Sequence, residues 1–386
     1  MRTPRSSKVA IHLVTPEYPP AVGGVGDYTR VVARGLAEAG EEVHVWCPPD
    51  GKRDASDRFI VHPDLGRFGG NDLERAGKLL DAFDAPRRVI VQWVPHAYGR
   101  RAMNLTFCVW LWKRALRGDR IELMVHEPFL MFWEGTWRQT AAALVHRVMT
   151  LILLQAARQV WVSIPAWERM WKPYLLGRPV PFRWLPIPTS LRVPSQIEVS
   201  KVRQRLTADS GPVVGHFGTY GSAVTSMLLE ILPAILAEPA KPRVLLIGAG
   251  SEDFLPRLLS RCPDSRDAVR ATGFVPDDAL SGYVAACDLL VQPYPDGISA
   301  RRTSAMAGLF LGVPIVTTKG RLTEAFWEKS GAVRLAPVGD RATFLGHVQQ
   351  LLEHPDARRQ LAGRARALYD ETFDVRLTVA ALKTAA

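Results

Sequence analysis

The stretch LVTPEYPPAVGGVGDYTRVVARGLAEAGEEVHVW, residues 13–46, contains the pattern that decides the fold. The stretch begins with the end of an apolar run, continues with a glycine-rich turn and then shows the residue spacing of a helix. Val32 and Leu36 follow helical spacing there, and Gly40 suits the end of that helix. The run EEVHVWCP, residues 41–48, then predicts a second strand. Strand, helix and strand in this order indicate a unit of a parallel sheet.

The same alternation continues along both halves of the chain. In the first half, strands are predicted at 88–94, 121–127 and 159–164, with helices at 106–116 and 137–157. A second series begins at GPVVGHFG, residues 211–218, and continues through RVLLIGAG, AVRATGF, CDLLVQPY, VPIVTT and AVRLAPV. We therefore expect an α/β protein with two doubly wound parallel sheets, which bind ligands at the carboxyl ends of their strands, in a cleft between the domains.

The length of 386 residues exceeds what one ordinary core accommodates. Prolines between residues 178 and 195 oppose a helix and indicate a crossing between domains. We predict a first domain at 1–188, a linker at 189–210 and a second domain at 211–369. The C-terminal helix, about residues 370–386, is expected to pack back on the first domain.

The composition is that of a globular protein, with 47% hydrophobic and 23% charged residues. Four scattered cysteines form no CxxC pair, which argues against zinc, disulfides and an oxidising compartment. The N-terminus lacks the apolar core of a signal peptide, and the apolar run at 141–157 is too short to span a bilayer. We expect a cytoplasmic protein without a metal or other cofactor.

The net charge of +11 is concentrated in the first half, which also holds ten of the eleven tryptophans. One interpretation is a basic surface over a tryptophan-rich core, and the other is a contact zone for an anionic, partly apolar partner such as a membrane. In the helix predicted after residue 105, one face combines aromatic and basic residues, with two more cations alongside: Phe107, Trp110, Leu111 and Arg114, then Lys113 and Arg117. This face suits an anionic leaflet at the inner side of a membrane, although a helix that merely covers the sheet gives the same pattern.

The segment GGVGDY, residues 23–28, places three glycines between the first strand and the first helix. A tight turn with Asp27 capping the helix is one explanation. Close approach of a ligand to backbone amides at a helix N-terminus is the other, and the position at a strand's carboxyl end favours it, with Gly24 as a ligand contact.

The second half repeats the arrangement in VVGHFGTYGS and LLIGAGSED, with Gly218 and Gly248 after successive strands. The segment DGISARRTSAMAGLFLGVPIVTT, residues 296–318, is the richest in polar groups. Its helix is predicted to begin at Arg301. Because two arginines at a helix N-terminus oppose the helix dipole, Arg301 and Arg302 are favourable there when an anion such as a diphosphate neutralises them.

Two strand ends of the first half carry further polar groups. His126 and Glu127 end a predicted strand and suit a polar contact or a base, or else a surface pair that orients a loop. His96, Tyr98 and Arg100 follow the neighbouring strand and, like Tyr28, are candidate ligand contacts.

Three segments together resemble the retaining family 4 glycosyltransferases of the GT-B fold, and the resemblance extends over nearly the whole chain. They are residues 15–46, the run GFVPDDALSGYVAACDLLVQPYPDG at 273–297, and AMAGLFLGVPIVTT at 305–318. The resemblance implies two Rossmann-like domains, the first for a hydroxyl acceptor (glycan, lipid-linked or small molecule) and the second for a nucleotide-sugar donor. The predicted acceptor contacts are then Tyr28, His96, Tyr98 and Arg100.

The resemblance also assigns residues. Asp296 matches the first acid of the family's Glu-x₇-Glu motif, which touches the donor sugar, and His126 lies near donor sugar and acceptor. Backbone at Phe274 and Val275 reads the base, and Gly297, Ile298 and Ser299 supply amides around sugar and phosphate. Gly24, Gly218, Thr219 and Gly248 complete the predicted donor contacts, and we expect a UDP- or GDP-sugar.

Two departures from the family pattern stand out. Ser304 occupies the place of the second acid, which usually holds the ribose hydroxyls. The segment GTYGSAVTSM, residues 218–227, contains neither of the cations that clamp the diphosphate, so we assign that clamp to Arg301 and Arg302. The alternatives are a non-catalytic nucleotide-sugar-binding or membrane-associated partner protein, favoured by the missing acid, and a nucleotide-sugar epimerase of the same architecture.

Overall fold

The computed structural model describes residues 9–21, 23–99, 102–132, 136–206 and 211–384, apart from the side chain of Asp277. The chain divides into two compact units. The first comprises residues 1–186 together with 375–386, and the second comprises residues 187–374. The boundary falls at Pro186, and residues 187–206, which include most of the predicted linker, form part of the second unit with a helix at Gln196–Leu206.

The first unit contains a seven-stranded parallel sheet in the order β3-β2-β1-β4-β5-β6-β7. Its strands are β1 Ile11–Val14, β2 Val43–Trp46, β3 Ile60–His62, β4 Arg88–Trp93, β5 Arg120–Val125, β6 Ala157–Val162 and β7 Phe182–Trp184. Its helices are α1 Gly24–Glu38, α2 Gly70–Leu80, α3 Leu105–Leu116, α4 Trp137–Ala156, α5 Pro165–Trp171 and, from the end of the chain, α14 Val375–Thr384. A 3₁₀ turn spans Lys172–Tyr174.

The second unit contains a six-stranded parallel sheet in the order β10-β9-β8-β11-β12-β13. Its strands are β8 Val213–Phe217, β9 Arg243–Ile247, β10 Val269–Ala271, β11 Leu289–Gln292, β12 Ile315–Lys319 and β13 Arg334–Pro337. Its helices are α6 Gln196–Leu206, α7 Ser222–Leu236, α8 Ser251–Leu259, α9 Asp277–Ala285, α10 Thr303–Leu311, α11 Ala325–Ser330, α12 Arg341–Glu353 and α13 Pro355–Thr372. A 3₁₀ helix spans Pro263–Ala268.

The predicted α/β fold with two parallel sheets is confirmed. Two short strands, β3 and β7, were not predicted, and both lie at edges of the first sheet. The strand β7 lies within the proline-rich segment, where prolines are tolerated because an edge strand has one unpaired side. In the second sheet the order reverses direction between β8 and β11, and such a switch point opens a crevice at the strands' carboxyl ends.

Helices α3 and α4 lie on the same face of the first sheet. They connect β4 to β5 and β5 to β6, and these three strands lie side by side in the sheet in the same order. Right-handed crossovers that run in one direction along a sheet place both helices on the same face. The two helices also pack against each other. On the inner side of α3, Phe107 and Leu111 are fully buried against the rest of the unit.

One histidine of the first unit is buried on an inner strand of the sheet. His12 on β1 is fully buried, stacks on the ring of His44 and accepts a hydrogen bond from Trp46 Nε1 at 3.2 Å. Burial is the main cause that lowers the pKa of His12 to about 3, and nearby His44, His62, Arg87 and Arg114 lower it further. The ring is therefore neutral in the folded protein at neutral pH.

We predict that the first unit loses stability as the pH falls from 7 to 5, partly through His12. The unfolded chain binds a proton at this imidazole below its ordinary pKa of 6.5, whereas the folded protein binds it only near pH 3. One such histidine lowers the free energy of unfolding by about 2 kcal/mol over this interval. Urea unfolding followed by tryptophan fluorescence reports mainly on this unit, because Trp327 is the only tryptophan among residues 187–374.

The variant His12→Asn should lose less stability than the parent between pH 7 and 5. His354→Asn, at an exposed position outside the first unit, is the matched control for the substitution. Equal pH dependence in His12→Asn and the parent would show that His12 does not contribute.

Candidate functional sites

The glycine-rich turn before α1 surrounds a carboxylate of the protein itself. Glu17 Oε1 accepts hydrogen bonds from the backbone amides of Val25 at 3.0 Å and Gly26 at 3.2 Å. A Cβ on Gly23 would lie 2.0 Å from that carboxylate, and one on Gly26 would lie 3.2 Å from the Glu17 carbonyl oxygen. The Glu17 carboxylate thus occupies the helix N-terminus that the sequence suggested for a ligand. The predicted ligand contact Gly24 faces open space.

His126, at the end of β5, is buried in a polar and aromatic setting. Its Nε2 lies 2.9 Å from Gln92 Oε1, and the ring of Tyr28 packs edge-on at 4.9 Å. Its carbonyl oxygen accepts a hydrogen bond from Trp167 Nε1 at 2.9 Å. Burial lowers the pKa of His126 to about 3, so its imidazole is neutral at pH 7. Because Gln92 Oε1 is an acceptor, Nε2 carries the proton and Nδ1 remains an acceptor.

Of the other residues predicted at strand ends in the first unit, His96 and Glu127 lie at the surface and Tyr98 lies in the core. Glu127 Oε2 lies 3.4 Å from His96 Nδ1, and both side chains are about half exposed. Tyr98 is fully buried, donates its hydroxyl to the Gln92 carbonyl at 2.6 Å and stacks on Trp93. Its side chain therefore belongs to the core, and its role as an acceptor contact stays a prediction. The predicted contact Arg100 lies outside the described residues.

In the second unit, glycines allow two strand-end loops to pack closely. Gly218 and Gly248 both have positive φ, at +155° and +112°. A Cβ on Gly248 would lie 2.5 Å from the Gly218 carbonyl oxygen, which excludes any larger residue there. Thr219 is exposed beside this contact.

Three guanidinium groups surround the carboxylate of Asp296, in the loop after β11. Arg321 Nε lies 2.9 Å from Oδ1, and the terminal nitrogens of Arg301 and Arg302 each lie 3.8 Å from Oδ2. Arg321 was not predicted from the sequence. A signal was available, because Arg321 follows β12, the neighbour of β11, and carboxyl ends of adjacent parallel strands meet at one edge.

The backbone of residues 297–300 is less available to a ligand than predicted. The Gly297 amide donates to the Tyr294 carbonyl at 3.0 Å, and the Ile298 amide to the Thr318 carbonyl at 2.8 Å. The helix begins at Thr303 rather than Arg301, so both arginines precede it. Ser299 Oγ is buried and has no hydrogen-bond partner among the described residues. The cation cluster, rather than the amides of Gly297 and Ile298, therefore provides the positive charge.

Glu324 supports this loop from beneath and was also missed. Its carboxylate accepts hydrogen bonds from the Ala300 amide at 3.1 Å and from Trp327 Nε1 at 2.9 Å. Burial raises the pKa of Glu324. The hydrogen bond from the Ala300 amide to Glu324 fixes the backbone just before Arg301.

Two buried side-chain acceptors lie on β8 and β11, the strands at the switch point of the second sheet. His216, on β8, donates from Nδ1 to the Val291 carbonyl at 2.8 Å, and burial lowers its pKa to about 4. Its Nε2 therefore carries a lone pair, and it has no hydrogen-bond partner among the residues described. The position of a Cβ on Gly218 would be 3.9 Å from His216 Nε2 and 3.8 Å from Ser304 Oγ. Gln292 Oε1 on β11 is the second buried acceptor of this kind.

Ser304 is tied to the arginine cluster through one tyrosine. Its hydroxyl lies 2.8 Å from the Tyr294 hydroxyl, and the guanidinium of Arg302 lies 4.7 Å from the centre of the Tyr294 ring. Farther along the sheet edge, Phe274 is 61% exposed while Val275 is buried. The structure thus brings Ser304, Arg302 and Asp296 together.

Comparisons with known proteins agree with this architecture. Residues 211–354 match the family model described as "Glycosyl transferases group 1". None of the curated proteins compared matches the chain. Among solved structures, sucrose-phosphate synthase from Thermosynechococcus elongatus is 16% identical with a TM-score of 0.70, covering 98% of each chain.

Two further structures share the fold. HepE from Anabaena, in complex with UDP and glucose, is 17% identical with a TM-score of 0.67 over 98% of this chain and all of that one. WaaG, a glycosyltransferase involved in lipopolysaccharide biosynthesis, is 14% identical with a TM-score of 0.66 over 96% and 99% of the two chains. The protein has the GT-B fold of these structures, and its second unit carries a domain that matches the glycosyl transferases group 1 family.

Proposed function

We propose that this protein is a retaining glycosyltransferase of family 4 type, with a nucleoside-diphosphate sugar as donor and a hydroxyl group as acceptor. The second unit is assigned to the donor and the first to the acceptor. The observation that carries the proposal is the cluster of Arg301, Arg302 and Arg321 around Asp296, within the domain that matches the family.

The cluster is suited to a diphosphate. Three guanidiniums face one carboxylate, which leaves a surplus of positive charge, and guanidinium pairs well with phosphate oxygens. The solved structures of HepE include complexes with UDP and with UDP-glucose, which supports a uridine diphosphate donor here. The sequence lacks the family's usual clamp, and these arginines replace it.

The ribose is assigned to the acceptors near Gly218. A hydroxyl donates its proton to an acceptor, and His216 Nε2 is a buried acceptor with a fixed lone pair. Ser304, with its hydrogen bond to Tyr294, lies close to the same point. In this proposal His216 and Ser304 together take over the function of the missing second acid.

His126 is assigned to the reacting groups as a neutral hydrogen-bonding side chain. Its pKa of about 3 makes it a weak base at pH 7, and its Nδ1 accepts rather than donates. In the transfer, the bond from the anomeric carbon to the diphosphate oxygen breaks, and the acceptor oxygen bonds to that carbon on the same face. The acceptor's proton passes to the departing diphosphate, whose charge the arginines stabilise.

A non-catalytic nucleotide-sugar-binding protein is the second candidate. It is favoured by Ser304, since a hydroxyl there lacks the charge that strengthens a hydrogen bond to ribose. A panel of UDP-, GDP-, ADP- and dTDP-sugars distinguishes the two. A transferase slowly hydrolyses its donor even without acceptor, whereas a sensor binds one nucleotide and leaves every sugar intact.

We predict that Arg302→Ala weakens UDP binding by about 1.5–3 kcal/mol, the usual contribution of a charge-assisted hydrogen bond. Arg302→Lys should recover only part of the loss, because an ammonium cannot form the paired bonds of a guanidinium. Isothermal titration calorimetry with UDP measures both. The exposed Arg257 in the same unit is the control, and equal affinity in Arg302→Ala and Arg257→Ala would remove Arg302 from the donor site.

We predict that His126→Ala reduces turnover far more than donor affinity, because its contribution is made chiefly in the transition state. Steady-state rates with the donor found in the panel, combined with calorimetry on UDP, separate the two effects. His96→Ala, at the exposed surface of the same unit, is the control. A folded His126→Ala protein with the parent's turnover contradicts the assignment.

We predict that His216→Phe removes the preference for an intact ribose. The parent should bind UDP about tenfold more tightly than 2′,3′-dideoxy-UDP, which corresponds to one or two hydrogen bonds. The variant should bind both nucleotides alike, and Ser304→Ala should have the same effect in weaker form. If His216→Phe keeps the tenfold preference, its Nε2 does not contact the ribose.

A further inference from the structure

The outer side of α3 exposes an apolar stripe. Leu105, Trp112 and Leu116 are 40%, 39% and 69% exposed, and their spacing of seven and four residues places them along one side of the helix. The face suggested by sequence for a membrane is a different one. Its members Phe107 and Leu111 are buried in the unit and are unavailable to any partner.

Arg114, predicted to lie on that membrane face, is buried as well. Its Nε donates to Asp119 Oδ2 at 2.5 Å and a terminal nitrogen to Asp81 Oδ1 at 2.7 Å. The cation serves an internal ion-pair network. Of the two interpretations of this face, the one in which it packs inside the unit is therefore correct, and the helix has a second apolar side.

Helix α4 exposes a matching stripe. Trp137, Leu144 and Val148 are 76%, 60% and 41% exposed and have the same spacing of seven and four residues. The guanidinium of Arg138 lies 5.6 Å from the centre of the Trp137 ring. Since α3 and α4 pack together on one face of the sheet, the two stripes belong to the same side of the unit.

The charged side chains of α3 and α4 themselves are of one sign. Neither α3 nor α4 contains an aspartate or a glutamate, while Lys113, Arg117 and Arg138 are exposed. Exposed leucine, valine and tryptophan flanked by cations are typical of a surface that rests in the headgroup region of an anionic membrane. A second copy of the chain would bring these cations against one another, which disfavours self-association.

We propose that the outer face of α3 and α4 binds the surface of an anionic lipid bilayer. The apolar stripes enter the boundary between headgroups and acyl chains, and the three cations bind anionic headgroups. Among the described residues, no helix is long and apolar enough to cross a bilayer. The binding is thus peripheral, and it is independent of the proposed transferase activity.

Sedimentation of the full chain with vesicles tests the proposal. Vesicles of phosphatidylcholine with phosphatidylglycerol should carry the protein into the pellet at low salt, and vesicles of phosphatidylcholine alone should carry much less. Binding should fall as salt rises, because the cations' contribution is screened. No donor or acceptor is required, so an inactive protein still gives a clear result.

Two pairs of variants identify the surface. Lys113→Glu/Arg117→Glu should weaken binding at least about thirtyfold, as expected for two cations at a membrane surface. Arg257→Glu/Arg261→Glu, with the same spacing on the second unit, is the control and should bind like the parent. Leu144→Gln should weaken binding severalfold, while Ile197→Gln, a comparably exposed site at 67%, should not.

Three results would overturn the proposal. The first is the absence of sedimentation with anionic vesicles at low salt. The second is equal loss of binding in the control and the α3 charge variants, which would mean a non-specific effect of net charge. The third is a concentration-dependent dimer in size-exclusion chromatography that Leu144→Gln dissociates, since the stripes would then form a protein interface.

Discussion

The candidate site of the second unit depends on an excess of positive over negative charge at the carboxyl ends of its strands. Asp296 is one carboxylate among three guanidiniums, two of them from the loop before α10 and one from the loop after β12. Guanidinium groups gathered around one carboxylate repel one another, and the repulsion grows where water is partly excluded. The arrangement persists because neighbouring groups hold the chain in place. Glu324 bonds the backbone before Arg301, and the Tyr294 ring supports Arg302.

The proposed anionic donor would therefore meet cations that are already positioned before it arrives. Such preorganisation lowers the cost of binding, because little has to move when the charge is neutralised. The loops that carry the arginines are fixed by backbone hydrogen bonds at Gly297 and Ile298. These amides, predicted as ligand contacts, thus contribute to the rigidity of the site instead.

The fold was predictable because its signals are local. Apolar runs, glycine-rich turns and helical spacing follow one another in a parallel α/β order, and each can be recognised within about 15 residues. The contacts that decided the sites depend on how the chain folds back on itself. Glu17 reaches the amides of Val25 and Gly26 across the turn, and Arg321 meets Asp296 because two strands are neighbours. Spacing along the sequence alone indicates neither contact, and the second follows only once β11 and β12 are known to be adjacent.

The sequence also could not show whether the side chain of Tyr98 is buried or which side of α3 is buried. A tyrosine after a strand has the same sequence signature whether its ring enters the core or faces a ligand, and only packing against Trp93 and Phe107 decides. Helix α3 is apolar on two sides, so periodicity alone could not identify its buried one. The burial of Arg114 with Asp119 and Asp81 decided it, through an ion pair that the charge pattern did not reveal.

The serine at position 304 has a physical consequence beyond the loss of a charge. Its hydroxyl bonds to Tyr294, whose ring lies against the guanidinium of Arg302. A carboxylate at this place would attract Arg302 away from Asp296 and compete with a phosphate for the same cation. A neutral hydroxyl leaves Arg302 within the cluster, and the buried lone pair of His216 supplies an acceptor without adding charge. The replacement of an acid by a serine is therefore consistent with a site whose diphosphate clamp comes from this side of the sheet.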